Sequence, residues 1–145
     1  MVKNIIAIAA GMAEGMGFGE NSRATIITRG LAEMSRLGLA LGGNAFTFSG
    51  LAGVGDLVAT CSSKQSRNNT VGLQLGQGRS IDSILSGMSM VAEGVKSSSS
   101  VLELARRYGV EMPITEQVVA VCHQGRSARD AMTLLMQRSI KSEIG

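Results

Sequence analysis

A chain of 145 residues is long enough to bury a real core and falls within the length of one domain. Its net charge of +3 comes with no basic run beyond Arg106-Arg107 and no aromatics interleaved among the cations, which argues against nucleic-acid binding and leaves room for an anionic small molecule. The 44% hydrophobic content is aliphatic, with nine Met against three Phe, one Tyr and no Trp, and there is one proline, a balance that favours helices.

The first expected helix covers residues 3–16. Ile5, Ile6, Ala7, Ile8, Ala9, Ala10 and Met12 make it apolar nearly all round, as a helix at the centre of a core is. Met1-Val2-Lys3 ahead of that run imitates a signal peptide, but the run is short and soon meets Gly11 and Glu14. It is also far below the roughly 20 residues that cross a bilayer. No targeting or membrane segment is therefore expected, and the expected location is cytoplasmic.

Gly15, Gly17 and Gly19 end this helix, and Asn21 is a suitable cap for the next, residues 21–41. There Ile27, Leu31, Met34 and Gly38 fall on one face, with Arg23, Arg29, Glu33 and Arg36 placed mostly elsewhere. Gly42-Gly43 stops it. Residues 44–65 break into shorter pieces. A helix is expected from Ser66 to Leu75, ending at Gly76 or Gly78, and Ser80 with Asp82 or Ser83 opens a short one through Leu85.

After an extended link at 88–91, a helix over 96–108 buries Val101, Leu104, Ala105 and Tyr108 and is capped by Gly109, while Ser97 to Ser100 form a polar face. Pro113 sets off a helix over 115–123 that Gly125 closes. Ser127-Ala-Arg-Asp130 is a capping box opening the last helix, which runs to about Arg138. No period-2 strand, repeat or low-complexity tract interrupts this pattern. The expected fold is all-α, one domain of about seven to nine helices.

Few groups carry chemistry by themselves. Cys61 and Cys122 make no metal-ligand spacing with the sole histidine, His123, so no metal site is expected and both read as buried, reduced thiols. His123, at the polar end of a helix, reads as a surface residue rather than a base. The string Gly15-Met-Gly17-Phe-Gly19-Glu20 misses the last glycine of a G-x-G-x-x-G turn and follows a helix instead of a strand, so it reads as an interhelical turn.

The segment from Gly50 is more distinctive: Gly50-Leu-Ala-Gly-Val-Gly-Asp-Leu, then Thr60-Cys61, then Ser66-Arg67-Asn68. It resembles the glycerol-3-phosphate dehydrogenases, whose segment reads G-L-A-G-x-G-D-L, T-C and S-R-N. Lys3-Asn-Ile-Ile-Ala-Ile-Ala-Ala-Gly11, Asn21-Ser-Arg-Ala, Ile27-Thr-Arg-Gly-Leu-Ala-Glu-Met34 and Val91-Ala-Glu-Gly-Val95 match as well, in order along most of the chain. The resemblance implies an N-terminal Rossmann domain followed by an all-helical domain like the C-terminal domain of 6-phosphogluconate dehydrogenase. Residues 1–145 then correspond to that helical, substrate-binding and catalytic half, without the Rossmann half, and are expected to be inactive alone.

The implied reaction interconverts dihydroxyacetone phosphate and sn-glycerol 3-phosphate with NAD(P)H and supplies glycerol 3-phosphate for phospholipid synthesis. A homodimer formed through this domain is also implied. Lys3 matches the family's catalytic lysine, the group that exchanges a proton with the C2 oxygen, a role suited to an amine that gives up its proton readily on burial. Without the resemblance it reads as a lysine snorkelling from a helix end. Asn4 is a second polar group there, to orient substrate or to cap.

Asp56 matches a substrate-binding aspartate, or is a helix cap after Gly55, with Thr60 assisting nearby. Ser66, Arg67 and Asn68 match substrate contacts, and Arg67 also a cofactor contact, since a guanidinium presents a fixed fork of donors to phosphate. Otherwise the triplet is a capped helix start. Val91 and Glu93 match contacts to the nucleotide end of the cofactor, though Glu93 also suits a plain surface position. Asn69-Thr70 departs from the basic residues often found after S-R-N in the family. Two other readings stay open: a related Rossmann-plus-helical dehydrogenase with another phosphorylated or carboxylated substrate, and a non-catalytic helical dimerisation or binding module.

Overall fold

The computed structural model describes residues 2–42, 66–88, 90 and 92–144, with side chains described up to residue 137. Gly43, the pieces at 44–65 with Asp56, Thr60 and Cys61, and Val91 lie outside the described residues. Within them the chain is seven helices and no strand: α1 Val2–Gly15, α2 Glu20–Ala40, α3 Arg67–Gly76, α4 Ile81–Ser86, α5 Glu93–Arg107, α6 Pro113–His123 and α7 Ala128–Ile144.

Helix α1 is the axis of the domain, as its all-round apolar pattern requires. Every residue from Ile5 to Ala13 is buried, and α2, α3, α5, α6 and α7 all pack on it. The closest neighbour is α3. Gly11 and Gly15 on α1 meet Gly72 and Gly76 on α3, and a methyl group at Gly72 would fall on the Ile8 carbonyl oxygen, one at Gly76 on that of Met12. Two pairs of glycines at i, i+4 spacing thus bring two helix backbones into contact. The register, with Gly11 opposite Gly72 and Gly15 opposite Gly76, makes the helices parallel. Both therefore begin at the same end of the domain.

Several expectations shift. Asn21 does not cap α2: the cap is Gly19, without a side-chain bond, and Glu20 stands in the first turn. The buried face of α2 is also turned by about one residue from the expected one. Ile26, Gly30, Glu33, Leu37 and Gly38 are buried, and Ile27, Leu31 and Met34 are only partly so. Glu33 lies inward because it serves a partner helix described below.

Helix α5 starts three residues earlier than the periodicity suggested. Its stripe is completed by Leu102 and by Ser97 and Ser98, whose hydroxyls bond back to the carbonyls of Glu93 (2.9 Å) and Val95 (3.1 Å). Backbone bonding of this kind lets serine enter a core. Tyr108, expected inside, is the C-cap and 51% exposed. Helix α7 continues to Ile144, past the expected end, because no glycine or proline intervenes to stop it. The caps at Ser66, Ser80 and Ser127 form as expected, accepting from the amides of Asn69, Ser83 and Asp130. Cys122 is buried and its thiol is pushed up to about 12 by burial, which leaves it inert at neutral pH.

Candidate active site

The parallel packing of α1 and α3 gathers most of the described candidate residues. Lys3 and Asn4 are half-buried in the first turn of α1, and Ser66, Arg67 and Asn68 form the start of α3 beside it. Helix α5 brings a third N-terminus to the same place. Its cap, Ala92, has no side chain able to accept a hydrogen bond, and the missing cap comes from α3: the Asn68 Oδ1 accepts from the Gly94 amide at 2.7 Å. Asn68 is accordingly buried.

Gly94 is the contact point of all three elements. A β-carbon there would stand 2.8 Å from the Asn68 Oδ1, 2.9 Å from the Asn4 carbonyl oxygen and 2.9 Å from the Ile8 Cδ1. Arg67 is exposed, with its Nη2 3.5 Å from the Met90 sulfur, and so leans toward the link that enters α5. Glu93, also exposed, is the first residue of that helix. Of the nine sequence candidates, Lys3, Asn4, Ser66, Arg67, Asn68 and Glu93 thus stand in one cluster.

Helix starts carry unpaired N–H groups and a partial positive charge. Here α3 is capped by the neutral oxygen of Ser66 and has no acidic residue in its first turn, so its positive end is not neutralised, and Arg67 adds a full charge; α5, capped by the neutral Asn68, carries Glu93 in its first turn. The arrangement suits a phosphate or another anion.

A second polar cluster was not foreseen. The Glu33 carboxylate, 1% exposed, accepts from the amides of Ile114 (2.5 Å) and Thr115 (3.3 Å) and from the Thr115 hydroxyl (3.4 Å), closing the N-terminus of α6. Burial pushes its pKa up to about 7, against the lowering effect of those bonds and of the Arg36 charge. Glu33 also lines a cavity of about 560 Å³ between α2, α6 and α7, whose wall includes Ile26, Val110 and Leu135. That cavity shares no residue with the α1–α3–α5 cluster.

Sequence reasoning missed Gly94 as a contact point, although it lies within the quoted Val91–Val95 motif. It also placed Glu33 off the buried face of α2. His123, read as a surface residue, is exposed but bonded: its Nε2 lies 2.8 Å from the Val95 carbonyl oxygen. No local signal in the sequence pointed to that bond.

The described residues form an all-helical domain in which the N-termini of α3 and α5 and a basic side chain lie beside the first turn of α1. Its fold matches the helical part of a dehydrogenase: the crystal structure of glycerol-3-phosphate dehydrogenase from Coxiella burnetii superposes with a TM-score of 0.88 and 43% identity, covering 93% of this chain and 42% of that one. The structure of DsGPDH from Dunaliella salina gives a TM-score of 0.75 at 26% identity over 92% of this chain and 25% of its own.

Residues 1–133 match the family described as "NAD-dependent glycerol-3-phosphate dehydrogenase C-terminus". Relatives named glycerol-3-phosphate dehydrogenase [NAD(P)+] are 57% identical in Citrifermentans bemidjiense and 58% in Streptomyces coelicolor, each over 98% of this chain. The chain belongs to this C-terminal family, and it spans 42% of the length of those two relatives.

Proposed function

We propose that the chain is the substrate-binding and catalytic helical half of an NAD(P)-dependent glycerol-3-phosphate dehydrogenase, working with a dinucleotide-binding Rossmann domain to interconvert dihydroxyacetone phosphate and sn-glycerol 3-phosphate. The observation that carries this reading is the meeting of Lys3, Ser66-Arg67-Asn68 and Glu93 at three helix starts, in a chain of that family. The cluster fits the cofactor as well as the substrate: the neutral cap of α3 and an exposed guanidinium leave a positive end for a phosphate.

NAD(P)H, when bound, supplies the hydride that the C2 carbonyl receives. The chain's own residues do the rest. The helix starts and Arg67 hold the substrate phosphate and set the distance of C2 from Lys3. As the C2 carbonyl becomes an alcohol its oxygen needs one proton, which the Lys3 ammonium gives, and in the reverse direction the neutral amine takes it back. Asp56 accepts from substrate hydroxyls, while Arg67, Val91 and Glu93 meet the nucleotide end of the cofactor. A cytoplasmic homodimer feeding phospholipid synthesis completes the reading. No described helix is long and apolar enough to cross a membrane.

The decisive variant is Lys3→Ala in the full-length protein. Turnover should fall by roughly 10²- to 10⁴-fold, the usual contribution of a positioned proton donor, with the dissociation constant of NAD(P)H nearly unchanged. Near-normal turnover would reject the role of Lys3.

A further inference from the structure

The first turn of α5 has no cap of its own, and two side chains from other helices hold it. In a helix the N–H groups point toward the N-terminus and the carbonyls toward the C-terminus. Asn68 accepts the Gly94 N–H in front of the turn, on the side of the candidate site. Behind the turn the His123 Nε2 lies 2.8 Å from the carbonyl oxygen of Val95, the next residue along. A carbonyl only accepts, so Nε2 carries the proton and donates. Successive residues of one turn are thereby fastened from opposite sides.

His123 is well placed to act as an anchor. It is the last residue of α6, a helix buried from Ile114 to Cys122 at every position but Glu116 and closed at its other end by the Glu33 carboxylate. A donor carried by so firmly held an element has little freedom to follow α5 if that turn moves. Nothing else in the reading of the site uses this histidine.

We propose that His123 is a positioning residue, which holds the first turn of α5 in the orientation that presents Glu93 to the dinucleotide. The inference rests on the reading of Glu93 as a cofactor contact. Without the His123 bond the turn keeps its helical bonds and the Asn68 cap, so the fold survives. What is lost is the fixed tilt of the turn against α1 and α3. The effect should therefore fall on cofactor affinity and not on the proton step at Lys3.

The test uses the full-length protein with His123→Leu, which removes the donor, and His123→Gln, whose amide nitrogen can occupy the Nε2 position. His123→Leu should raise KM for NAD(P)H roughly 2- to 12-fold, the range of one neutral hydrogen bond, with kcat within about twofold of the wild type. His123→Gln should recover most of that loss, and amide exchange of Gly94 and Val95 should quicken in His123→Leu and slow again in His123→Gln.

A normal KM in His123→Leu, whatever its Tm, overturns the proposal, as does a His123→Gln variant no better than His123→Leu. If His123→Leu does not fold, His123→Gln decides alone: a wild-type KM and wild-type exchange of the turn support the role, and a raised KM overturns it. Failure of the underlying reading looks different: Glu93→Gln would then leave KM for NAD(P)H at the wild-type value, while amide exchange of Gly94 and Val95 would still quicken in His123→Leu.

Discussion

The N-terminus of α6 and the neighbouring N-termini of α3 and α5 present the same groups, unpaired amides at the positive end of a helix, yet the fold closes them differently. At α6 a full carboxylate, Glu33, is brought from α2 and accepts two amides and a hydroxyl. At α3 and α5 the caps are a serine hydroxyl and an asparagine carbonyl, both neutral. A carboxylate cap satisfies the donors and cancels the helix-end charge as well. A neutral cap satisfies a donor and leaves the charge available to something else. The first end is internal structure; of the other two, α5 carries Glu93 in its first turn, and the α3 end, with no acidic residue, is the one left to a ligand anion.

Replacing Glu33 should produce the largest effect on stability. Glu33→Leu leaves the Ile114 and Thr115 amides without their acceptor in a buried setting, where each unsatisfied donor costs about 1–3 kcal/mol. Two such donors make a loss on the order of 2–6 kcal/mol, read as a fall in the denaturant midpoint at constant slope. A fall below about 0.5 kcal/mol would mean that α6 is held by its apolar face alone, and the contrast between the two regions would dissolve.

The pH dependence of the same group comes next. In the unfolded chain Glu33 takes its ordinary value of 4.5, and in the fold it is raised to about 7. The folded state binds the proton more tightly, so this contribution to stability is fully present below pH 4.5. It declines as the pH rises through 7 and is then flat. The loss between those limits is on the order of 3.5 kcal/mol, taking about 1.4 kcal/mol per pH unit between 4.5 and 7. Urea titrations of wild type and Glu33→Gln from pH 4 to 8.5 should converge in slope above pH 8, with only the wild type declining between 4.5 and 7.5. Parallel profiles would show that the carboxylate keeps its ordinary value.

Arg67 tests the open region. Arg67→Ala should raise KM for dihydroxyacetone phosphate, the cofactor or both, by a loss of about 1.5–3 kcal/mol, the scale of a hydrogen bond to a charged group. Stability should barely move, since the side chain is exposed. Arg67→Lys should restore only part of the affinity, because an ammonium lacks the two-pronged fork. Unchanged constants would reduce the Ser66-Arg67-Asn68 triplet to a helix start.

The smallest expected change sharpens the comparison most directly. Aspartate and asparagine cap helices about as well as serine, so Ser66→Asp and Ser66→Asn should both keep α3 intact. The aspartate also gains roughly 0.3–1 kcal/mol from the helix-end charge. If the neutral cap is what keeps this end available, Ser66→Asp should match or exceed Ser66→Asn in Tm while having a higher KM for the phosphorylated substrate. Equal KM values for the two variants would show that no anion uses the α3 end.

Most helices were legible from local pattern. The all-round apolar run at Ile5–Met12 announced the central helix, and serines, glycines and Pro113 punctuated the rest, because propensity and capping act over a few residues. The triplet at 66–68 and Lys3 were legible only through a family resemblance. As isolated residues they are a cap and a surface amine, and no local rule brings residue 3 to residue 67.

The sequence by itself determined an all-helical domain, an apolar axis and where its helices begin and end to within a few residues. Tertiary structure decided which helix ends meet. The seam of Gly11, Gly15, Gly72 and Gly76 makes α1 and α3 parallel at backbone contact, and so brings the start of α3 alongside the first turns of α1. It also decided the fate of three polar side chains that periodicity had no means of placing. Glu33 is drawn inward by the uncapped start of α6, Asn68 by that of α5, and His123 is held against the Val95 carbonyl. Hydrogen-bond demand at a helix end is met by whatever donor or acceptor lies nearest in space, and distance along the chain does not enter.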